Sequence, residues 1–405
     1  MQKFYYSTQI IPHLQGLYGR RNMADIKRYG QVLAEFKRRF GGEFANICSS
    51  SGRVELVGNH LDHNGGTVLG CGVNLDIVAA FRANGTNAVR ILGKDRNAIR
   101  IDLHDGAKPT GSAGLVKGVM EYLKQQGFTV GGFDAYTDST VPSGAGVSSS
   151  AAFELVVGSI VSHCFNGGEI PPEILARAGQ FAENEYFNKP CGLLDQSVVA
   201  VGGLVKLDFA NGLSFERLDV ANSAFKLVLV DTGLSHAALS HLYAEIPAEM
   251  YAVARHFGKS RLIEVDEKAF LDQFDDVCAA VGIRPALRAK HFFEENRRVA
   301  KAETALRSGD VDTLIDLINQ SGDSSLHQLQ NCAVDETDTA ISDAVKLARS
   351  LAPCGARVHG GGFAGTVLCV VPTEHVGTLV KGLTAVYGSD RIYPLTLRPL
   401  GAVVL

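Results

Sequence analysis

The sequence has little surplus charge and no long apolar run. Its 405 residues contain 39 Lys and Arg against 43 Asp and Glu, a formal net charge of −4 at pH 7. General nucleic-acid and anionic-membrane binders normally carry a basic surplus, so we expect neither partner. No apolar stretch approaches the roughly 18 residues of a membrane span, and the first residues lack the apolar core of a secretory signal. These absences predict a soluble, cytoplasmic protein.

Regular cysteine spacing is also missing. The eight Cys residues are scattered without a Cys-x-x-Cys pair, and most have apolar neighbours. Cysteine in such surroundings behaves as a small buried hydrophobe, whereas structural zinc sites and disulfide frameworks need characteristic spacings. We therefore expect neither of them, and the sequence gives no sign of an obligate protein partner.

The length and the 46% hydrophobic content are enough for two or three domains with sizeable cores. We expect an N-terminal extension over 1–22, a mixed β-rich domain over 23–220, and a domain over 221–405 that contains a mostly helical insert. Amphipathic spacing predicts a helix over Met23–Phe40. Asn84-Gly85, between two strand patterns, predicts a hairpin turn.

Glycine is abundant, with 44 residues, and one Gly/Ser-rich segment lies between a predicted strand and an apolar helix. This segment consists of Pro142, Ser143, Gly144, Ala145, Gly146, Val147, Ser148, Ser149 and Ser150. Its glycines permit sharp turns, and the following helix presents free N–H groups, so the loop could hold phosphate. It is neither a Walker A loop, which needs a lysine, nor a dinucleotide fingerprint, which needs glycine at position 149. Taken alone, an ordinary strand-to-helix turn fits equally well.

A second segment, 52–66, leads from a strand into a turn rich in hydrogen-bonding side chains. Asn59, His60, Asp62 and His63 lie there within five positions. Such side chains suit the hydroxyls of a polyol, and His and Asp could also bind a metal, although no further ligand stands at a typical spacing. An Asx turn that caps its own backbone is the structural alternative.

Two further features remain open when they are read alone. The His-Gly-Gly-Gly run at 359–362 is shared with the oxyanion loops of lipase-like esterases, but the Gly-x-Ser-x-Gly motif that these enzymes need is absent. A glycine run otherwise indicates close backbone packing or a ligand. Asp195 would begin an apolar helix, where a carboxylate needs either a salt-bridge partner or a chemical role.

In combination and in this order, the segments resemble the superfamily of small-molecule kinases named for galactokinase, homoserine kinase, mevalonate kinase and phosphomevalonate kinase. Within it they resemble the galactokinase family. Residues 52–66 are similar to its sugar signature, Gly-Arg-Val-Asn-Leu-Ile-Gly-Glu-His-Thr-Asp-Tyr-Asn-Gly-Gly, and 142–151 to its Pro-x-Gly-Ala-Gly-Leu-Ser-Ser-Ser-Ala loop. Residues 191–196 resemble Cys-Gly-x-x-Asp-Gln, 360–365 resemble Gly-Gly-Gly-Phe-Gly-Gly, and 231–236 with Tyr243 resemble a further segment. Asn59 replaces a signature Glu, His63 replaces a Tyr, and Ala364 replaces a Gly.

The resemblance implies an α+β, two-domain small-molecule kinase fold. Its N-terminal domain would have a mixed sheet, its C-terminal domain would be ferredoxin-like, and the active site would lie between them. The implied reaction transfers the γ-phosphate of ATP to the anomeric hydroxyl of galactose with Mg²⁺ as cofactor, so the partners would be a small-molecule sugar and ATP.

The resemblance also assigns roles to residues. Asp195 would be the base, with Arg53 beside it, and the 142–150 loop would bind the phosphates of ATP. Ser150 and Glu183 would hold Mg²⁺. The sugar would be bound by Asn59, His60, Asp62 and Tyr243 and by the backbone of Gly192. In the family, the Glu at the position of Asn59 contacts a sugar hydroxyl on the C6 side, so Asn59 would make a neutral hydrogen bond there.

Two alternatives stay open. Because Asn59 lacks the charge of the signature Glu, the substrate could be another sugar, such as an N-acetylhexosamine, a hexuronate or a pentose. The chain could instead be a non-catalytic sugar and ATP sensor on the same scaffold, although such a sensor is expected to have a damaged phosphate loop. Here the serines of that loop, Arg53 and Asp195 are all present.

Overall fold

The structure is a computed structural model, and it describes residues 7–19, 22–94, 96–142, 144–187, 191–219, 224–233, 239–335, 337–363 and 365–405. The helices within these residues are α1 Ile11–Tyr18, α2 Met23–Phe40, α3 Gly111–Gln125, α4 Ser149–Phe165, α5 Pro172–Tyr186, α6 Leu194–Val201, α7 Ser240–His256, α8 Glu267–Asp272, α9 Phe274–Val281, α10 Ile283–Ser308, α11 Val311–Ser324, α12 Ala340–Leu351 and α13 Val376–Tyr387. The strands are β1 Asn46–Val57, β2 Thr67–Ala83, β3 Ala88–Gly93, β4 Arg96–Asp102, β5 Phe133–Ser139, β6 Leu204–Asp208, β7 Ser214–Leu218, β8 Phe225–Asp231, β9 Gly355–His359, β10 Thr366–Pro372, β11 Ile392–Leu395 and β12 Val403–Val404.

The larger sheet has helices on both faces. Its strand order is β12-β1-β2-β5-β3-β4, with β6 paired to β2 and β7 paired to β6. Because side chains alternate along a strand, Ile77, Ala79 and Phe81 of β2 enter the core beneath α4, whereas Val78 and Ala80 pack beneath α1 and α2. This sheet carries the sugar-signature segment between β1 and β2 and the Gly/Ser loop after β5.

The hairpin prediction at Asn84-Gly85 is wrong. The β2 and β3 strands that flank this turn do not pair with each other, because β5 lies between them, antiparallel to β2 and parallel to β3. The Asn84 side chain instead donates to the Ala88 carbonyl and to Asp134 at the start of β5, at 2.9 Å each. Asn84-Gly85 does form a turn, but tertiary packing places β5, and not β3, beside β2.

The smaller sheet is antiparallel, with the order β11-β8-β10-β9. Along the chain these strands occur as strand, helices, strand, strand, helix, strand, so the order is 4-1-3-2, the ferredoxin-like arrangement that the resemblance implies. Helices α7 to α12 are inserted between β8 and β9. This insert packs against the sugar-signature segment of the larger sheet, because α10 contacts both β1 and β2.

The expected domain boundary near residue 220 falls within 220–223, outside the described residues, and it stays a proposal. One strand pairing joins residues from the two sides of this expected boundary. Strand β12 returns to the larger sheet and pairs with β1, with Cys48 opposite Val404. Residues 403 and 404 therefore complete the N-terminal sheet, although the expected division assigned them to the C-terminal domain.

Residues 7–19 are packed rather than appended. Leu14 and Leu17 of α1 are fully buried in a core shared with α2 and the larger sheet. The Tyr18 hydroxyl donates to the carboxylate of Asp76, which is also fully buried. This differs from the expected extension over 1–22, whose mixed composition hid the buried face of α1.

A buried ionic cluster joins both ends of the described chain to the larger sheet. Asp76 pairs with Arg28 of α2 and with Arg398 of the C-terminal segment, and it accepts from Ser49 of β1. Burial alone would raise the pKa of Asp76, but the two guanidinium groups lower it below its ordinary value. The cluster therefore holds a carboxylate that stays ionised at neutral pH.

Among the described residues, no helix combines the length and the hydropathy that a bilayer-spanning segment requires.

We predict that Asp76→Asn lowers the free energy of unfolding by about 3–5 kcal/mol at pH 7, because it leaves two buried arginines without their anion. A carboxylate whose pKa is lowered by folding stabilises above its unfolded pKa of about 4. The difference between wild type and variant should therefore shrink as the pH falls below that value. Urea unfolding between pH 3 and 7 measures this difference. Glu35→Gln, which breaks a half-exposed ion pair with Arg38, should leave the midpoint unchanged.

Candidate active site

The Gly/Ser loop turns sharply into the N-terminus of α4. Gly144 and Gly146 have φ angles of 83° and 71°, and Ser148, the residue before the helix, has a φ of 59°. The Ser148 side chain makes no capping bond to α4. The first N–H groups of a helix have no intrahelical acceptor, so those of α4 are available to an anion. Pro142, Ala145, Val147, Ser149 and Ser150 complete the described loop, whereas Ser143 lies outside the described residues.

One arginine links this loop to the predicted base. Arg53 is 6% exposed, and its Nε and Nη2 atoms lie 2.8 and 2.6 Å from Oδ1 of Asp195. Its Nη1 donates to the Gly146 carbonyl, and the Ser148 hydroxyl donates to the other oxygen of Asp195. The Asp195 side chain, in the first turn of α6, is still 33% exposed. The predicted base therefore touches both its cationic partner and the phosphate loop.

A second carboxylate, that of Asp62, lies against Gly192 and close enough to Asp195 for their charges to interact. A Cβ atom on Gly192 would collide with the carboxylate of Asp62, so the glycine permits this close approach. Burial raises the pKa of Asp62 to about 6, and the neighbouring charge of Asp195 adds to the shift. Two carboxylates with such different environments are suited to different tasks, one accepting a proton and the other accepting hydrogen bonds.

The triglycine turn after β9 accepts hydrogen bonds from three predicted sugar residues. Asn59 donates to the carbonyl of Gly360 at 2.9 Å, and Nε2 of His60 lies 3.0 Å from that of Gly361. The Tyr243 hydroxyl of α7 donates to the carbonyl of Gly362 at 3.1 Å. Burial and the neighbouring His63 lower the pKa of His60 to about 3, so its ring is neutral, with one donor and one acceptor nitrogen.

Asn59 does not face the site, unlike the sugar contact that the resemblance implies. It is 1% exposed, and its amide group donates to Glu55 and to the Gly360 carbonyl, at 3.1 and 2.9 Å. Its Oδ1 accepts from Asn331 at 2.9 Å. Both N–H groups of the Asn59 amide therefore have acceptors within the protein. The predicted sugar residues His60, Asp62 and Tyr243 are, unlike Asn59, partly exposed.

The two predicted metal ligands lie on packed helices. Ser150 is in the first turn of α4, and Glu183 is near the end of α5 and 3% exposed. The described residues hold no cluster of three or more His, Cys, Asp or Glu side chains that could bind an ion without help. A hydroxyl and a carboxylate are hard oxygen donors, which suit Mg²⁺ bound jointly by protein and phosphate.

A cleft of about 860 Å³ opens between the β3–β4–β5 part of the larger sheet and the first turns of α3 and α4. The residues that line it include Lys94, Arg100, Thr137, the N-terminus of α3 and Phe153 of α4. A smaller pocket shares Lys94, Thr137 and Phe153 with it and extends to Val141, just before the loop. The motifs in the sequence did not reveal this cleft, because its residues come from three separate strands and two helices.

Family profiles match three parts of the chain. The galactokinase galactose-binding signature matches residues 34–83, the N-terminal domain of GHMP kinases matches 114–203, and the C-terminal domain of GHMP kinases matches 302–388. The galactokinase of Lacticaseibacillus paracasei is 30% identical over 369 residues, which cover 88% of this chain and 93% of that protein. The chain belongs to the galactokinase family. The galactokinase of Limosilactobacillus reuteri is similar, with 29% identity and the same coverage.

Solved structures agree with this membership. The galactokinase of Lactococcus lactis, crystallised with galactose, superposes with a TM-score of 0.83 at 25% identity and covers 93% of this chain and 99% of that one. The mevalonate kinase of Methanococcus jannaschii shares the fold, with a TM-score of 0.62 at 17% identity over 87% of this chain and 98% of that one. The galactokinase-family resemblance, the fold class and the assignment as a sugar kinase are thus confirmed.

We predict that the Asp62 carboxyl titrates near pH 6. Asp195→Asn should lower its pKa, because a neighbouring negative charge is removed, but not to the ordinary value of about 3.9, because burial remains. Carbon-13 NMR of aspartate-labelled protein, with Asp62→Asn to assign the resonance, measures both values. A pKa of Asp62 that does not respond to Asp195→Asn would contradict the proximity of the two carboxylates. Asp312→Asn, on the exposed side of α11, is the control for the change of net charge.

Proposed function

We propose that this protein transfers the γ-phosphate of ATP to the anomeric hydroxyl of galactose and releases galactose 1-phosphate and ADP. The observation that carries the proposal is the contact of Asp195 with both Arg53 and Ser148 of the phosphate loop. This contact puts a candidate base where a sugar hydroxyl and a phosphoryl group would meet. The Lactococcus lactis relative, crystallised with galactose, supports the choice of sugar.

In this mechanism the sugar hydroxyl displaces the Ser148 hydroxyl from Asp195. The carboxylate then accepts the proton as the hydroxyl oxygen attacks the γ-phosphorus, and a positioned base of this kind contributes roughly 10²- to 10⁴-fold. Arg53 contacts Asp195, and its fixed positive charge stabilises the charge that develops on the transferred group. The hydroxyl of Ser148 is free to turn toward the phosphates once it has been displaced.

Asp62, His60, Tyr243 and the backbone of Gly192 would orient the sugar. Asp62, which lies against Gly192, would accept hydrogen bonds from two vicinal hydroxyls through its two carboxylate oxygens. His60 donates through Nε2 to Gly361, so Nδ1 can accept from a hydroxyl. The neutral ring adds no charge beside Asp62.

ATP would extend from the phosphate loop into the 860 Å³ cleft. Its phosphates would be bound by the free N–H groups at the start of α4, where the helix dipole favours negative charge. Its base and ribose would occupy the cleft, with Lys94 and Arg100 at the rim. Ser150 and Glu183 would hold Mg²⁺, which neutralises phosphate charge when it is bound.

We further propose that the protein works in the cytoplasm. Five of its eight cysteines, Cys48, Cys71, Cys332, Cys354 and Cys369, are buried free thiols, which is typical of proteins from reducing compartments.

A substrate panel tests the function directly. Purified protein with MgATP and aldoses varied at C2, C4 and C6 should give its highest kcat/KM with galactose, and phosphorus NMR should show phosphate at C1. If galacturonate or an N-acetylated hexose gave a higher kcat/KM than galactose, the kinase would stand but its substrate would be different.

We predict that Asp195→Asn lowers kcat at least a hundredfold and changes the affinities for galactose and ATP by no more than a few-fold. The amide keeps the shape of the carboxylate but cannot accept the proton. Steady-state kinetics and calorimetric binding measure the two effects, with Asp312→Asn as the matched control. Near-normal turnover in Asp195→Asn would exclude this residue as the base.

For the metal, we predict that Glu183→Gln raises the Mg²⁺ concentration needed for half-maximal activity, because a neutral amide is a weaker ligand for a hard cation. A Mg²⁺ titration at saturating ATP measures the shift. Glu185→Gln, an exposed position two residues further along the chain, is the control. If the two variants gave the same titration curve as the wild type, the ion would be bound by other groups.

A further inference from the structure

Glu55 and Asn59 form a buried pair behind the site. Glu55 is 5% exposed, and its Oε1 accepts both from the amide of Asn59 at 3.1 Å and from Nη2 of Arg357 at 2.8 Å. Arg357 is fully buried in β9 and also donates to the Leu56 carbonyl. Glu55 is therefore the anion of a buried ion pair between the two sheets, and it fixes the direction of the Asn59 amide.

Only one orientation of the Asn59 amide group satisfies its three hydrogen-bonding partners. Its nitrogen faces two acceptors, Glu55 Oε1 and the Gly360 carbonyl, and its oxygen faces the amide nitrogen of Asn331. Rotation by 180° would oppose like groups at all three contacts. Asn331 also donates to the Gly361 carbonyl at 3.2 Å, so the two asparagines together hold two successive carbonyls of the triglycine turn.

The backbone of the sugar signature is held from a second side by α10. His291 contacts the Asn59 carbonyl at 3.0 Å through Nε2, and Glu295 accepts from the N–H groups of Gly58 and Asn59. His291 and Glu295 are four residues apart and hence lie on one face of the helix. These bonds anchor the backbone at Asn59, so the position from which its side chain reaches Glu55 is fixed.

We propose that Glu55 and Asn59 act as one positioning pair, which holds the triglycine turn against the sugar signature and so fixes His60 and Tyr243 for the sugar. This inference rests on the proposed function, and it makes residue 59 a positioning residue instead of a sugar ligand. The turn is the shared support, because His60 and Tyr243 bond to the carbonyls of Gly361 and Gly362, which follow the carbonyl that Asn59 holds.

Isosteric variants test the pair. Asn59→Asp keeps the shape but puts a second carboxylate against Glu55 and removes the donor to Gly360. We expect the galactose KM to rise at least tenfold while the ATP KM stays within twofold. Adding Glu55→Gln supplies a new amide donor at position 55, and the double variant should have a galactose KM at least threefold lower than Asn59→Asp alone. Asn87→Asp, at an exposed turn position, should leave both constants unchanged.

A second measurement separates positioning from direct contact. If Asn59 does not touch the sugar, the ratio of kcat/KM for galactose and 6-deoxygalactose should be the same within twofold in Asn59→Asp and in the wild type. A ratio that collapses toward one in the variant would show a lost hydroxyl contact and would overturn the proposal. Equal galactose KM values for Asn59→Asp and the wild type would overturn the proposal as well. It would also be overturned if the separate effects of Asn59→Asp and Glu55→Gln on the galactose KM simply added in the double variant.

The thermal unfolding of the sugar-free protein keeps this inference distinct from the proposed function. The midpoint of Asn59→Asp should fall, and part of the loss should be recovered by Glu55→Gln, whether or not galactose is the substrate. A wild type that phosphorylates no galactose but shows this recovery would refute the proposed substrate and retain the pair. A wild type that phosphorylates galactose, together with a double variant that recovers neither the galactose KM nor the thermal midpoint, would refute the pair and retain the proposed function.

Discussion

The candidate site is held together by the contacts of the Arg53 guanidinium group. It lies in β1 of the larger sheet, almost fully buried, and it binds Asp195 on α6 and the Gly146 carbonyl in the phosphate loop. The Gly/Ser loop, Asp195 and the start of the sugar signature are thus held by one rigid, permanently charged group. A planar fork of donors can bind two acceptors at fixed angles, which a lysine in the same place could not do.

The triglycine turn is a second constraint, because it joins the smaller sheet to the sugar signature of the larger sheet. The triglycine turn presents three successive carbonyls, and each is bound by a side chain that the sequence motifs associate with the sugar. Glycine is required at Gly361, because a Cβ atom there would collide with the ring of Tyr243. The third motif therefore acts through its backbone, and this explains why it is rich in glycine without containing a reactive side chain.

The amphipathic pattern predicted helix α2, which begins and ends where the spacing placed it. The failures involve distant partners. Asn84-Gly85 is a turn, but β5 takes the pairing position that a hairpin would need, and Asn59 faces Gly360 and Asn331, which lie far along the chain.

The pairing of β12 with β1 has a consequence for the order in which the protein can be assembled during synthesis. Strand β1 is made early, but one of its two neighbours in the sheet is residues 403–404. The ribosome must therefore deliver the entire smaller sheet and its helical insert before the edge of the larger sheet beside β1 can be covered. Until then β1 lacks a partner at Cys48 and Ser49, and because unpaired strand edges are templates for other strands, this part of the nascent larger sheet is exposed to aggregation.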